Sequence, residues 1–253
     1  MEALKSVIVI VLFLINFTLT AQKIITDRPD QTESSSTIAK GSLQIESGML
    51  LGFTEIDEIS LKTIIAPSTL FRYGLTDGIE IRVVNQFVSI ENRNISEDIS
   101  GIADLEIGTK IQIYQQEDKN VEVAFLSHLV LPTGSNDVSF NKVGTINKLS
   151  VSHEINDKIG LGYNLGYNYF GIENGFFTYS LVLGMAINDK AGIYLEPYGE
   201  IDISDQYLSN FDAGFTYLLK DNFQLDFSFG TGLNYSMNYI SAGFSWHLGP
   251  HKS

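Results

Sequence analysis

The chain contains no cysteine. That excludes disulfides, thiolate metal sites, iron–sulfur clusters, a cysteine nucleophile and a lipid-modified N-terminal cysteine together. Positive charge is scarce: 16 Lys and Arg stand against 30 Asp and Glu, for a net charge of −14 over 253 residues. A surface that binds nucleic acid concentrates the opposite sign, so nucleic acid is not an expected partner. Proline is rare, at five, and only four histidines are present. Charged residues make up 18% of the chain and hydrophobic ones 44%, the reverse of a disordered composition. Long apolar runs are also missing, apart from Val7 to Ile15, which follows Lys5 and leads through Asn16 to Ala21. A basic residue, a short apolar stretch and a small terminal residue describe a secretory signal peptide over residues 1–21. A membrane-anchoring helix would need about 20 apolar residues, and this run breaks at Asn16.

What the chain has in quantity is glycine, 22 residues, and Phe plus Tyr, 16 and 12. Much glycine and aromatic content with little proline points to many strands and tight turns. Residues 22–40 are polar and aperiodic and read as an N-terminal segment, either a periplasmic tail or a plug inside a barrel. From Gly41 to Leu248, strand-like runs alternate with turns carrying Asp77, Asp118, Asp157, Asp189 and Asp221, which are 32 to 41 residues apart. Asp and Asn bond their own backbone and tolerate left-handed geometry, which suits hairpin turns. Each interval holds two strands of about 10–12 residues, and a tilted strand of about that length crosses a bilayer. Longer polar connections fall near 53–59, 91–100, 132–143, 171–175, 202–208 and 234–238. Short turns at one end and longer loops at the other is the asymmetry of outer-membrane barrels. Five turns and six loops give twelve strands, with both termini on the periplasmic turn side.

Period-two alternation supports an all-β, antiparallel, up-and-down transmembrane barrel. In 223–233, Phe223, Leu225, Phe227, Phe229 and Leu233 oppose Gln224, Asp226, Ser228, Gly230 and Gly232. In 239–248, Ile240, Ala242, Phe244, Trp246 and Leu248 oppose Tyr239, Ser241, Gly243, Ser245 and His247. The small, polar face fits a crowded lumen. Aromatics gather in two bands: Phe71, Tyr73, Tyr114, Phe223, Phe244 and Trp246 toward the turns, and Phe53, Phe87, Tyr169, Phe176, Phe177, Phe211 and Tyr239 toward the loops. Such bands mark the two bilayer interfaces. Pro67 and Pro197 interrupt otherwise strand-like runs. A water-soluble sandwich with the same period remains the alternative.

Three segments carry a family likeness: Thr26-Asp27-Arg28-Pro29-Asp30-Gln31-Thr32-Glu33 with Lys40-Gly41-Ser42-Leu43-Gln44-Ile45-Glu46; Phe71-Arg72-Tyr73-Gly74-Leu75-Thr76-Asp77-Gly78-Ile79-Glu80; and Leu131-Pro132-Thr133-Gly134. From Thr26 to Leu248 the chain resembles the transporter-like family of the MetA pathway of phenol degradation. The resemblance implies an outer-membrane barrel of a Gram-negative bacterium and a link to aromatic-compound catabolism. Many such barrels end on an aromatic, whereas Gly249-Pro250-His251-Lys252-Ser253 forms a tail here.

The expected lumen face carries Glu46, Glu80, Asp104, Glu106, Glu122, Glu154, Glu196, Glu200, Asp212 and Asp226, against Lys62, Arg72, Arg82, Lys110 and Lys148. A wall of one sign raises counter-ion concentration and would favour cations or neutral solutes. Ion pairs bracing a closed lumen are the competing reading. Asp27, Arg28 and Asp30 would meet these wall charges if the N-terminal segment plugged the barrel. No cofactor or metal is expected: His128 and Glu122 on one strand lie about 20 Å apart. A barrel-embedded lipid hydrolase would need a serine against His153, and Ser152 faces the opposite way while Ser150 is only nearby. The reading favoured by these residues is a passive channel for small solutes, with outer-membrane lipid, the solute and the barrel-insertion machinery as partners. A structural or adhesive barrel with ligand-binding loops is the alternative.

Overall fold

A computed structural model describes residues 24–56, 58–95, 97–116, 121–172, 174–202 and 206–250. The expected signal peptide, the turn at Asp118 and the last three residues of the tail lie outside the described residues. The strands are β1 Leu43–Ile56, β2 Ile59–Thr76, β3 Ile79–Asn92, β4 Glu97–Ile102, β5 Leu105–Gln116, β6 Val121–Leu131 and β7 Gly144–Asn156. They continue as β8 Ile159–Tyr169, β9 Phe176–Ala186, β10 Ala191–Asp202, β11 Tyr207–Lys220, β12 Phe223–Gly232 and β13 Ser236–Leu248. All pairings are antiparallel, between chain neighbours except where β3 pairs with β5 as well as β4 and where β1 pairs with β13 as well as β2, which closes the sheet. β4 and β5 lie end to end along β3, with a break at Ala103 and Asp104. The result is a closed twelve-stranded barrel plus one short extra strand.

Closure removes the unpaired edges that lipid would penalise. The alternation then sorts side chains by face. Leu165, Phe229 and Ile240 are 61%, 54% and 50% exposed on the outer wall, whereas Arg72, Glu80, Lys110, Glu196 and Asp212 are fully buried inside. A water-soluble sandwich buries its apolar face, and this chain does the reverse. The outer belt meets acyl chains, and the polar groups fill the lumen.

Several expectations are corrected by the register. The connections near 53–59 and 91–100 are largely strand, because β1 runs to Ile56, β3 to Asn92 and β4 begins at Glu97. Their polar side chains sit at the water-side rim, where a ladder costs nothing extra: Glu91 lies opposite Asp98, and Lys62 reaches Glu91 at 2.9 Å. Residues 132–143 do form a long loop. Pro67 sits at a bulge between Ile65 and Ser68, as a residue without an N–H must. That bulge shifts the alternation by one, so Lys62, paired with the outward Phe53, faces out rather than into the lumen. Pro197 leaves a gap in the β9 ladder while keeping its place opposite Phe211 on β11. Of the aromatic bands, Tyr239 turns inward, 7% exposed, and Phe176 follows the lumen-facing Asn168.

Candidate functional site

Residues 24–40 form no strand and lie inside the barrel. The segment enters from the turn side, where the Gln44 amide donates to the Ile25 carbonyl at 2.8 Å. It rises to mid-height, where the Gln31 backbone N–H donates to Glu196 on β10 at 2.7 Å and the Glu33 N–H donates to Asn164 on β8 at 2.7 Å. It then returns to the turn side, where the Ile38 N–H donates to Glu80 at 2.9 Å. The Asp27 carboxylate accepts the Ser34 N–H at 2.8 Å and pinches the two limbs together. On its way the segment also bonds Ser180 on β9, Glu122 on β6 and Ser152 on β7. Its own polar backbone is thereby satisfied by the wall, as a buried chain requires.

The limbs are held by a buried charge cluster. Asp27 receives Arg82 at 2.6 Å, Lys110 at 2.9 Å and Arg72 at 3.3 Å. Arg72 forks onto both Glu80 oxygens at 2.9 and 3.0 Å and reaches Glu46 at 2.9 Å. Arg82 adds Glu80 at 2.8 Å and Glu33 at 2.7 Å. Three wall cations thus face two wall carboxylates plus Asp27 and Glu33 from the segment. The segment supplies the missing negative charge. Burial alone would raise the Asp27 carboxyl, but Arg72, Lys110 and Arg82 together hold it well below the usual carboxylate range. Asp30 is treated oppositely: burial, reinforced by the neighbouring Glu196 charge, pushes its carboxyl well above that range.

Arg28 occupies a place made by glycine. Gly48 on β1 and Gly243 on β13 are direct cross-strand partners, and a Cβ on either would collide with the Arg28 guanidinium. Lying across this bare strip, Arg28 reaches Asp226 on β12 at 2.8 Å and Ser241 at 3.2 Å. A Cβ at Gly243 would also meet the Ser47 carbonyl oxygen of β1, so the seat is tested from the other side: Arg28→Ala is expected to vacate it while leaving the β1–β13 ladder intact. Hydrogen exchange of the amides in 24–40, followed by mass spectrometry, should quicken by about tenfold or more, as local opening becomes easier. Unchanged protection there would show that the segment does not depend on this seat.

Toward the loop side the lumen changes character on β1–β3. Leu50, Ile65 and Val88 form one inward cross-strand row, and Leu70 and Val84 another, the latter beside Glu46. On the opposite, turn-side flank a cavity of about 960 Å³ remains between the segment and the wall, bordered by Asp30, Glu122, Glu154, Lys158, Tyr194 and the side-chain-free Gly160, Gly162 and Gly184.

The sequence model of the family described as "Putative MetA-pathway of phenol degradation" matches residues 26–246. This chain belongs to that family. The family match begins inside the segment that fills the lumen. Among solved structures, the COG4313 outer membrane channel from Pseudomonas putida F1 is similar with a TM-score of 0.71 at 12% identity, covering 85% of this chain and 98% of that one. The beta domain of the Bordetella autotransporter Brka is similar at 0.55 and 10%, covering 82% and 99%. The KdgM porin follows at 0.53 and 9%, covering 81% and 98%. At such identities the likeness is one of fold. No curated protein matches the sequence. A closed, lipid-faced barrel with outer-membrane relatives places this family member in the outer membrane of a Gram-negative bacterium.

The residues singled out by sequence are separated by the fold of this family member. Glu46, Arg72, Glu80, Arg82 and Lys110 converge on Asp27 in one cluster. Asp226 and Glu196 lie apart from it, one holding Arg28 and the other Gln31. Glu106 pairs with His128 at 2.9 Å, and that ring in turn meets Arg82 at 3.1 Å. Asp104 serves the 132–143 loop. Placed in the break between β4 and β5, it accepts the Gly134 and Phe140 N–H groups, each at 2.9 Å, and anchors the 132–143 loop. His153 packs on Tyr163 on the outer face, with ring centroids 5.8 Å apart, while Ser152 turns inward to Ser35. Glu33, His128 and the Gly48–Gly243 strip were not legible as site residues, because nothing in their local spacing shows what crosses the lumen to meet them. Among the described residues no group of three His, Asp or Glu could hold a metal ion.

Proposed function

We propose that the protein is a passive outer-membrane channel for small neutral solutes of apolar or aromatic character, with residues 24–40 as an internal plug. The observation that carries this reading is a lipid-faced closed barrel whose polar lumen is obstructed at mid-height by its own N-terminal segment and not by wall side chains alone. On the loop side, the Leu50–Ile65–Val88 row offers an apolar landing surface. Below it lies the polar plug, and beside the plug the 960 Å³ cavity opens to the turn side. The family description, which refers to phenol degradation, and the similarity in fold to an outer membrane channel and a porin support this reading. A solute would descend from apolar wall to cavity past the apex at Gln31–Glu33. The movement is passive in this reading, and among the described residues His153 meets Tyr163 rather than a serine. We also assign insertion to the outer-membrane barrel machinery, acting on β13.

Osmotic swelling of proteoliposomes in a size series of neutral solutes tests the reading. Swelling should exceed that of empty liposomes for the smallest solutes and fall steeply with size. No swelling by the intact protein, nor by a variant lacking 24–38, would overturn it.

A further inference from the structure

We infer that His128 is a proton-sensitive latch on the plug: neutral, it holds Arg82 against residues 24–40, and protonated, it drives Arg82 off and opens the lumen. This inference rests on the plug role proposed above and adds regulation to it. The latch is built across one row of the barrel wall. His128 on β6 lies opposite Gly108 on β5, and Gly108 in turn lies opposite Arg82 on β3. A Cβ at Gly108 would overlap the imidazole, so the bare glycine lets the ring cross β5 and meet the guanidinium. The Arg82 Nε–H donates to His128 Nε2 at 3.1 Å, and His128 Nδ1 lies 2.9 Å from Glu106 Oε2.

The donors decide the protonation state. Arginine can only donate. Nε2 therefore presents its lone pair, and the ring proton sits on Nδ1, from which it is donated to Glu106. Only the neutral imidazole makes both bonds. A second proton would put an N–H on Nε2, facing the Arg82 N–H, and would set two cations in contact. Glu106 steadies the imidazolium but cannot relieve that contact, because it sits on the other nitrogen. Within two positions of the row, β3 adds Glu80, β5 adds Lys110 and β7 adds Lys148. Glu80 is already shared by Arg72 and Arg82, so it offers the imidazolium no free counter-charge. What Arg82 lets go is the segment: Nη2 holds Glu33 at 2.7 Å and Nη1 holds Asp27 at 2.6 Å. Nε and Nη2 share one edge of the planar fork, so a tilt away from His128 also breaks the bond to Glu33 at the apex of the segment. Asp27 stays ionised as the pH falls, because three cations hold its carboxyl well below the usual range. Glu106, with 22% side-chain exposure against 4% for His128, opens the relay to water in the loop-side lumen.

Single-channel conductance of the intact protein in planar bilayers, read from about pH 8 to about pH 5, the range in which histidine changes charge, tests the latch. Conductance should rise several-fold on the acid side. His128→Gln offers Arg82 an amide oxygen and has no proton to gain, so its conductance should stay low throughout. His128→Lys places a fixed cation beside Arg82 and should conduct at both ends of the range. Glu106→Gln removes the charge that steadies the imidazolium, and the midpoint of the rise should move lower by about one pH unit. A flat profile in the intact protein, or an unmoved midpoint in Glu106→Gln, overturns the proposal. So does an acid rise that survives in His128→Gln, which would assign the response to Glu33 or another carboxylate. Should His128→Lys fail to fold, as judged by the loss of its boiling-dependent gel shift, His128→Gln decides. Deleting residues 24–38 separates the two readings: a deletion that raises conductance beside a flat intact profile removes the latch alone, and a deletion without effect removes plug and latch together.

Discussion

Replacing Arg72 with methionine is expected to cost about 3–5 kcal/mol of stability, the cost of leaving buried charges without their partner. Arg72 is the best-connected group in the lumen. Its guanidinium forks onto Glu80, reaches Glu46 and Asp27, and donates to the Ile25 carbonyl at 3.3 Å and the Ser36 carbonyl at 3.0 Å. Those last two contacts fall on the inbound and outbound limbs of the segment. One side chain therefore braces β1, β2 and β3 and latches the plug at both limbs. Methionine fills similar space but leaves Glu46 without its cation and Glu80 with Arg82 alone, both carboxylates being fully buried. Arg72→Lys keeps the charge but not the planar fork, and a smaller loss is expected. Denaturant titration in micelles, following the boiling-sensitive gel band, reads both. A loss in Arg72→Met no greater than that of a surface ion pair, about 1 kcal/mol or less, would show that the cluster is solvated in practice.

Deleting residues 24–38 is expected to convert a nearly closed barrel into an ion-conducting one. The segment bonds wall strands around most of the ring, from β1 through β3, β5 to β10, and β12 to β13. Its removal takes out the material filling the mid-height lumen but deletes no strand, so the closed ladder remains. Single-channel conductance in planar bilayers should rise several-fold. The deletion also removes Asp27 and Glu33, leaving Arg72, Arg82 and Lys110 opposite only Glu46 and Glu80. The turn-side mouth then gains net positive charge on its β2–β5 flank, and anion permeability should increase with it. Conductance equal to that of the intact chain would end the plug reading. A conductance rise without the shift toward anions would mean that the exposed cations are screened or have moved away.

The alternation on β12 and β13, the Asp-bearing turns and the even strand number were readable because each is a short-range property. A strand forces period two on its neighbours, and a hairpin turn needs particular residues within four positions. The same locality explains the failures. A single bulge at Pro67 flips every side chain beyond it, so Lys62 was assigned to the wrong face. The anchoring of the 132–143 loop by Asp104 was not legible either, since the backbone N–H groups it serves lie 30 and 36 residues away.

The sequence by itself determined a run of amphipathic antiparallel strands with one oily and one charged face, and favoured the closed barrel that lipid requires of such strands; that the oily face turns outward was decided by the fold. Only the tertiary structure decided which charges meet. Arg28 finds Asp226 across 198 residues of chain, and Asp27 finds Lys110 across 83. Coulomb attraction and desolvation act through space, and space is set by how the strands close around the lumen.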